Sequence, residues 1–162
     1  MKLDETYKNK YNIVLGGSCI AGKTAYFNSY STKQFSGDTL LTMGNEKCLI
    51  KKLKTTEINL WDTIRWDGSN RGLINYCIKN ADSIILMFDL SSESDFYNLP
   101  QFLSMVTEHH ELKKIPILLI GNKADLNIKV DENEIEKFLG KENFIGYFEV
   151  SCKKYKNVEE SV

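Results

Sequence analysis

The chain carries almost no excess charge: 21 basic residues face 22 acidic ones across 162 residues, for a net of −1. The strongly basic surface of a nucleic-acid binder is therefore not expected. Long apolar runs are also missing. The longest are short, such as Ile115 to Ile120, far below the roughly 20 residues of a membrane-spanning helix. The first ten residues are polar and charged, so no signal peptide is read. Four cysteines (Cys19, Cys48, Cys77, Cys152) show no zinc or redox spacing, which points to free thiols in a reducing, cytoplasmic setting. No internal repeat, low-complexity tract or linker interrupts the chain. The hydrophobic fraction of 42% is ordinary for one globular domain with a real core, here spanning 1–162 with about ten polar residues leading in.

What is present is an alternation of apolar runs and helix-like segments. Tyr11 to Leu15 reads as a buried strand feeding a glycine-rich turn. Leu49 to Leu53 and Glu57 to Trp61 read as neighbouring strands joined by a polar turn near Thr55 and Thr56. Ser83 to Phe88 and Ile115 to Ile120 are continuous apolar runs, as strands covered on both faces should be. Phe144 to Val150 is a weaker last strand. Phe96, Leu99, Leu103 and Val106 recur at helical spacing, and Ile135, Phe138 and Leu139 do so after an acidic helix start at Asp131 to Glu134. The pattern predicts an α/β fold in three layers, a six-stranded, mostly parallel sheet flanked by helices. Lys156 to Val162 reads as the opening of a last helix that stops short.

Gly17-Ser18-Cys19-Ile20-Ala21-Gly22-Lys23-Thr24 fits G-x-x-x-x-G-K-[ST] between a predicted strand and a predicted helix. In such a loop backbone N–H groups converge on phosphate oxygens, and the helix N-terminus adds a favourable dipole. Lys23 can reach the outer phosphates. The Thr24 hydroxyl can ligate Mg²⁺, an ion that prefers oxygen and shares phosphates with the protein.

That loop does not choose between ATP and GTP. Asn122-Lys123-Ala124-Asp125 does. It follows a strand, so it sits at the C-terminal edge of the sheet, where ligands bind in open α/β folds. Guanine presents N1–H and N2–H₂ donors on one edge, and the Asp125 carboxylate can accept both; adenine offers no such pair. Losing paired polar contacts of this kind discriminates strongly. Asn122 would tie this loop to the phosphate loop, and the Lys123 stem would cover the base.

The two motifs together resemble the Ras-like small GTPases, the Rab branch most closely, from about Tyr11 to Val162. Trp61-Asp62-Thr63 is similar to the Rab start of switch II, Phe88-Asp89-Leu90-Ser91 and Ser94-Asp95-Phe96 to the strand and helix that follow, and Glu149-Val150-Ser151-Cys152-Lys153 to the last nucleotide motif. The resemblance implies a G domain holding GTP or GDP with Mg²⁺. The phosphate loop and Ala25 behind it would line the nucleotide, and Ser151, Cys152 and Lys153 would flank the guanine. Thr42, in a segment like switch I and nineteen residues after Lys23, would ligate Mg²⁺ and sense the γ-phosphate, and Asp62 would hold the metal through water. Phe35 would lean on the base. The resemblance also implies an exchange factor, an activating protein or an effector as partner. Without it, Phe35 reads as a surface-loop aromatic and Thr42 as an ordinary loop threonine.

The chain departs from the family at its switches. Arg65 and Trp66 stand where the family has glycine and glutamine in switch II. Arg65 cannot take glycine's conformations freely. Trp66 has one N–H donor and no carbonyl, so it cannot both accept from the attacking water and donate to the transition state. The expectation is very slow hydrolysis, unless the Arg65 guanidinium, acting in cis, replaces part of the lost stabilisation. Cys19 adds bulk where a partner's arginine would enter. After Gly44 the chain reads Asn45-Glu46-Lys47, with Lys47 in place of an effector-facing aromatic. No terminal cysteine pair or prenylation box is read, so membrane association would need a segment not present here. The leading expectation is a slow Rab-like switch in vesicle trafficking. Its rivals are a nucleotide-bound scaffold that does not cycle and a nucleoside-phosphate kinase, the latter opposed by Asn122 to Asp125 and by the presence of only two arginines, Arg65 and Arg71.

Overall fold

A computed structural model describes residues 9–35, 47–53, 56–63, 71–141 and 144–162. In chain order the elements are β1 (Asn9–Gly17), α1 (Lys23–Thr32), β2 (Lys47–Leu53), β3 (Thr56–Asp62), α2 (Arg71–Lys79), β4 (Ser83–Asp89), α3 (Glu93–Tyr97), α4 (Leu99–Thr107), β5 (Ile117–Asn122), α5 (Glu132–Leu139) and β6 (Phe144–Glu149). The six strands form one sheet in the order β2-β3-β1-β4-β5-β6. Only the β2–β3 pair is antiparallel; the other four pairs are parallel. The expected mixed, mostly parallel sheet is thus present.

Side chains on successive strand residues point to opposite faces, and the central strands bury both. On one face Leu86 and Phe88 of β4 and Ile117 and Leu119 of β5 join Ile74 and Ile78 of α2 and Phe102 and Val106 of α4. On the other, Ile85, Met87 and Ile120 join Tyr26, Phe27 and Tyr30 of α1. Two cores with the sheet between them give the three layers. Val158 completes the α1 side and is fully buried, and the Tyr26 hydroxyl shares a 2.8 Å hydrogen bond with Ser161 Oγ. Residues 158–161 form a turn here rather than the helix opening expected over Lys156 to Val162.

Several boundaries differ from the sequence expectation. The apolar spacing from Phe96 to Val106 reads as one helix, but the structure breaks it at Asn98, and Pro100 sits in the first turn of α4. Proline has no N–H to give to a preceding turn, so it is tolerated at a helix start and not inside one. Strand β5 begins at Ile117 rather than Ile115, because Pro116 cannot donate to the ladder; its carbonyl instead accepts from the Ile84 N–H at 3.0 Å. Helix α2 was not expected as a separate element. Of the polar turn expected near Thr55 and Thr56, Thr56 opens β3, and residues 54–55 lie outside the described residues.

Strand β1 is followed in the sheet by β3 on one side and β4 on the other. The strand order reverses there, and in open α/β sheets that point leaves a crevice at the carboxyl ends of the strands. The loop from Gly17 to Gly22 opens into it.

Candidate functional site

Two glycines shape the loop. Gly17 has φ of +121° and Gly22 has φ of +82°, backbone that side-chain-bearing residues rarely adopt. A Cβ on Gly17 would lie 2.1 Å from the Met87 carbonyl oxygen, and one on Gly22 would lie 2.5 Å from Asn122 Nδ2. Helix α1 therefore starts at Lys23 from a left-handed cap with no side chain capping it, leaving its first N–H groups to the loop.

Lys23 is buried, 5% exposed. Its ammonium donates to the Gly17 carbonyl at 2.9 Å and to the Ser18 carbonyl at 2.6 Å. Burial lowers its pKa to about 8, with the charge of Asp62 opposing that shift. Asp62 ends β3 and is fully buried. Thr24 lies half-buried in the first turn of α1. Among the described residues no three carboxylate, histidine or cysteine side chains converge. One hydroxyl and one carboxylate, all oxygen donors, fit Mg²⁺, which usually keeps several waters and takes other oxygens from phosphates.

The second half of the site comes from the end of β5. Asn122, 1% exposed, donates from Nδ2 to the Ala21 carbonyl at 2.9 Å. It accepts at Oδ1 from Cys152 Sγ at 3.3 Å. Burial pushes the Cys152 thiol up to about 12, so it stays protonated as that donor. Lys123 takes φ of +63°, which is uncommon outside glycine and typical of functional turns. Its ammonium pairs with Asp89 Oδ2 at 2.7 Å. Burial opposes ionisation of Asp89, but the hydrogen bonds from Lys123 and Ser91 outweigh it and hold the carboxyl below the usual range. The Ser151 hydroxyl donates to Asp125 Oδ1 at 2.6 Å, and Ser151 and Lys156 close their loop with paired backbone hydrogen bonds of 3.2 and 3.0 Å.

Between these halves lies a cavity of about 340 Å³, within the range of small-molecule sites. Cys19, Ile20, Gly22 and Ala25 line it from the loop side, Asn122 from the end of β5 with Lys123 and Asp125 from the turn after it, Cys152 and Lys153 from the last loop, and Phe35 at its rim. Leu126, which carried no role in the sequence reading, lines it too; it is 48% exposed, an apolar residue beside a polar motif. Phe35 is 43% exposed, so it is both a surface aromatic and a wall of the cavity. Ser18, Ala21, Lys23, Thr24 and Ser151 are not among its lining residues. Asp89 was legible only as part of the resemblance, and its contact with Lys123 joins residues far apart in sequence. Thr42, Arg65 and Trp66 lie outside the described residues.

A glycine-rich loop of this geometry, between the first strand of an open parallel sheet and a helix, defines a phosphate-loop nucleotide-binding domain. Residues 12–162 match the model of the Ras family, and the chain belongs to that family. It is 31% identical to the Ras-related protein Rab-32D of Dictyostelium discoideum over 99% of this chain and 74% of that one. It is 30% identical to Rab7 of Drosophila melanogaster over 91% and 73%. It is also 33% identical to a Ras and EF-hand domain-containing protein homolog of Mus musculus over 97% of this chain. The chain spans about a quarter of the length of that relative. Within that family the chain is Rab-like, and the family binds guanine nucleotides, typically with Mg²⁺. No helix among the described residues is long and apolar enough to cross a membrane.

Proposed function

We infer that the chain is one G domain that holds GDP or GTP between its phosphate loop and the Asn122–Asp125 loop and turns GTP over slowly. The observation that carries this is the Asn122–Ala21 hydrogen bond. It fixes the base-reading loop against the phosphate loop around a cavity of suitable size. In this reading the loop N–H groups and Lys23 bind phosphate, and Thr24, Thr42 and Asp62 serve Mg²⁺. Asp125, pre-set by Ser151, takes the guanine edge, with Phe35 and the stems of Lys123 and Lys153 against the ring. Bound Mg²⁺ would neutralise charge on the phosphates.

Slow hydrolysis is inferred from Arg65 and Trp66 in place of glycine and glutamine. A role in vesicle trafficking, through an exchange factor, activating protein or effector, is inferred from likeness to Rab proteins alone. The same two substitutions also suit a second reading, a nucleotide-bound scaffold that does not cycle. Single-turnover hydrolysis of bound GTP separates them, after chromatography of the nucleotide that copurifies. Slow conversion that rises about tenfold or more in Arg65→Gly/Trp66→Gln supports the switch. No conversion, with identical partner binding in the GDP and GTP forms, supports the scaffold. Protein that takes up no guanine nucleotide would defeat both.

A further inference from the structure

Cys152 lines the cavity from the last loop, a part that any small residue could take. Its sulfur does something more specific. The residue is 4% exposed, and Sγ donates to Asn122 Oδ1 at 3.3 Å. A thiol is a weak donor. Burial pushes its pKa up to about 12, so at neutral pH the sulfur keeps the hydrogen that this bond needs.

Asn122 explains why a donor is wanted there. A side-chain amide has a donating end and an accepting end. The Ala21 carbonyl can only accept, so it takes Nδ2, at 2.9 Å. Oδ1 is then turned the other way, in a residue 1% exposed, and a buried acceptor left without a donor is costly. Among the described residues its donor is the Cys152 thiol. Turned over, the amide would set Oδ1 against the Ala21 carbonyl, acceptor against acceptor. Contacts at its two ends thus hold one orientation.

The path crosses three segments. The loop after β6 is stitched to the end of β5 by the Val150 N–H on the Gly121 carbonyl at 2.8 Å, and to the turn that follows by the Ala124 N–H on the Val150 carbonyl at 3.0 Å. Neither bond reaches the phosphate loop. The path from Cys152 through Asn122 to Ala21 does. Nδ2 also lies where a Cβ on Gly22 would meet it at 2.5 Å, so a shift of the amide is felt at the turn that opens α1.

We propose that the Cys152 thiol is a positioning group for nucleotide binding: by donating to Asn122 Oδ1 it locks the amide that ties the base-reading loop to the phosphate loop. This rests on the guanine-nucleotide reading of the cavity. Losing the thiol frees the amide to turn, loosens the Ala21 contact and speeds nucleotide release.

The test is release of fluorescent GDP from the full chain into excess unlabelled GDP with Mg²⁺. Cys152→Ala speeds release about fivefold, the scale of one buried acceptor left unmet. Cys152→Ser keeps a donor in less volume and brings the rate back to within about twofold of the parent chain. Cys152→Val fills the space without a donor and stays fast. A role in packing alone reverses that order. Alanine and serine carry the test should valine not fit. Unchanged release in Cys152→Ala, or valine restoring the rate as fully as serine, overturns the proposal. Heteronuclear NMR decides the link apart from nucleotide. The Asn122 Nδ2 protons exchange with solvent faster in Cys152→Ala, and at the parent's rate in Cys152→Ser. Nδ2 protons indifferent to Cys152→Ala overturn the proposal even in protein that never retains GDP, an outcome that would separately defeat the function inferred above.

Discussion

Gly22 is the residue on which the two halves of the cavity are most sensitive to one added carbon. Alanine there would carry a left-handed backbone at a cost of roughly 1–2 kcal/mol, and its Cβ would press on Asn122 Nδ2 at 2.5 Å. The Asn122–Ala21 bond is then displaced. Gly22→Ala is expected to copurify with little or no guanine nucleotide while keeping native circular dichroism. Lys23 gives a prediction in pH. Burial lowers its pKa to about 8, and bound phosphates, being anions, raise it again. A group raised on binding contributes affinity that is complete below its free-state pKa and lost as pH rises through it. Equilibrium titration with GDP is expected to show affinity steady up to about pH 8 and falling above it. Lys23→Met binds more weakly throughout and with a flatter profile. Both residues were legible in the sequence because the phosphate-loop motif is local. The place of Leu126 in the cavity wall and the Lys123–Asp89 pair were not, because spacing along the chain says nothing about which distant side chains meet.

Among the elements, strands were easier to read than helices. Ser83 to Phe88 and Tyr11 to Leu15 announce themselves as apolar runs, and the structure places strands over both. The helical spacing of Phe96, Leu99, Leu103 and Val106 was correct in phase yet blind to the break at Asn98, since a one-residue joint barely shifts which face is apolar. Helix α2 follows a polar stretch and offers only Ile74, Cys77 and Ile78 to the core, too short a signal for periodicity to isolate. The short α3 depends on its cap. Ser92→Ala removes the acceptor for the Asp95 N–H and is expected to cost about 1 kcal/mol, read as a lower urea midpoint with unchanged slope.

At the scale of the whole molecule, the nucleotide cavity and the fold are one system. Its walls come from the ends of β1, β5 and β6, elements spread across the sheet, so a ligand that binds only the folded form stabilises all of it. At about 100 times its dissociation constant such a ligand adds roughly 2.7 kcal/mol. Thermal melts of nucleotide-stripped protein should therefore rise by several degrees with GDP and Mg²⁺ and stay unmoved by ADP at the same concentration. A shift of equal size with ADP would remove Asp125 from its assigned part in reading guanine. The layered architecture was legible from alternation alone, whereas the coupling of cavity to fold needed the tertiary contacts.

The hydrogen bond between Tyr26 and Ser161 spans 135 residues of sequence, and Val158 fills the core beside it. A ribosome adding about 5–20 residues per second needs on the order of ten seconds to travel that distance. For that interval the helix that opens from the phosphate loop exists without its cover, with Tyr26 and Phe27 bare on one side. The nascent chain thus makes the helix of its phosphate loop first and can cover it only once residues 158–161 have emerged.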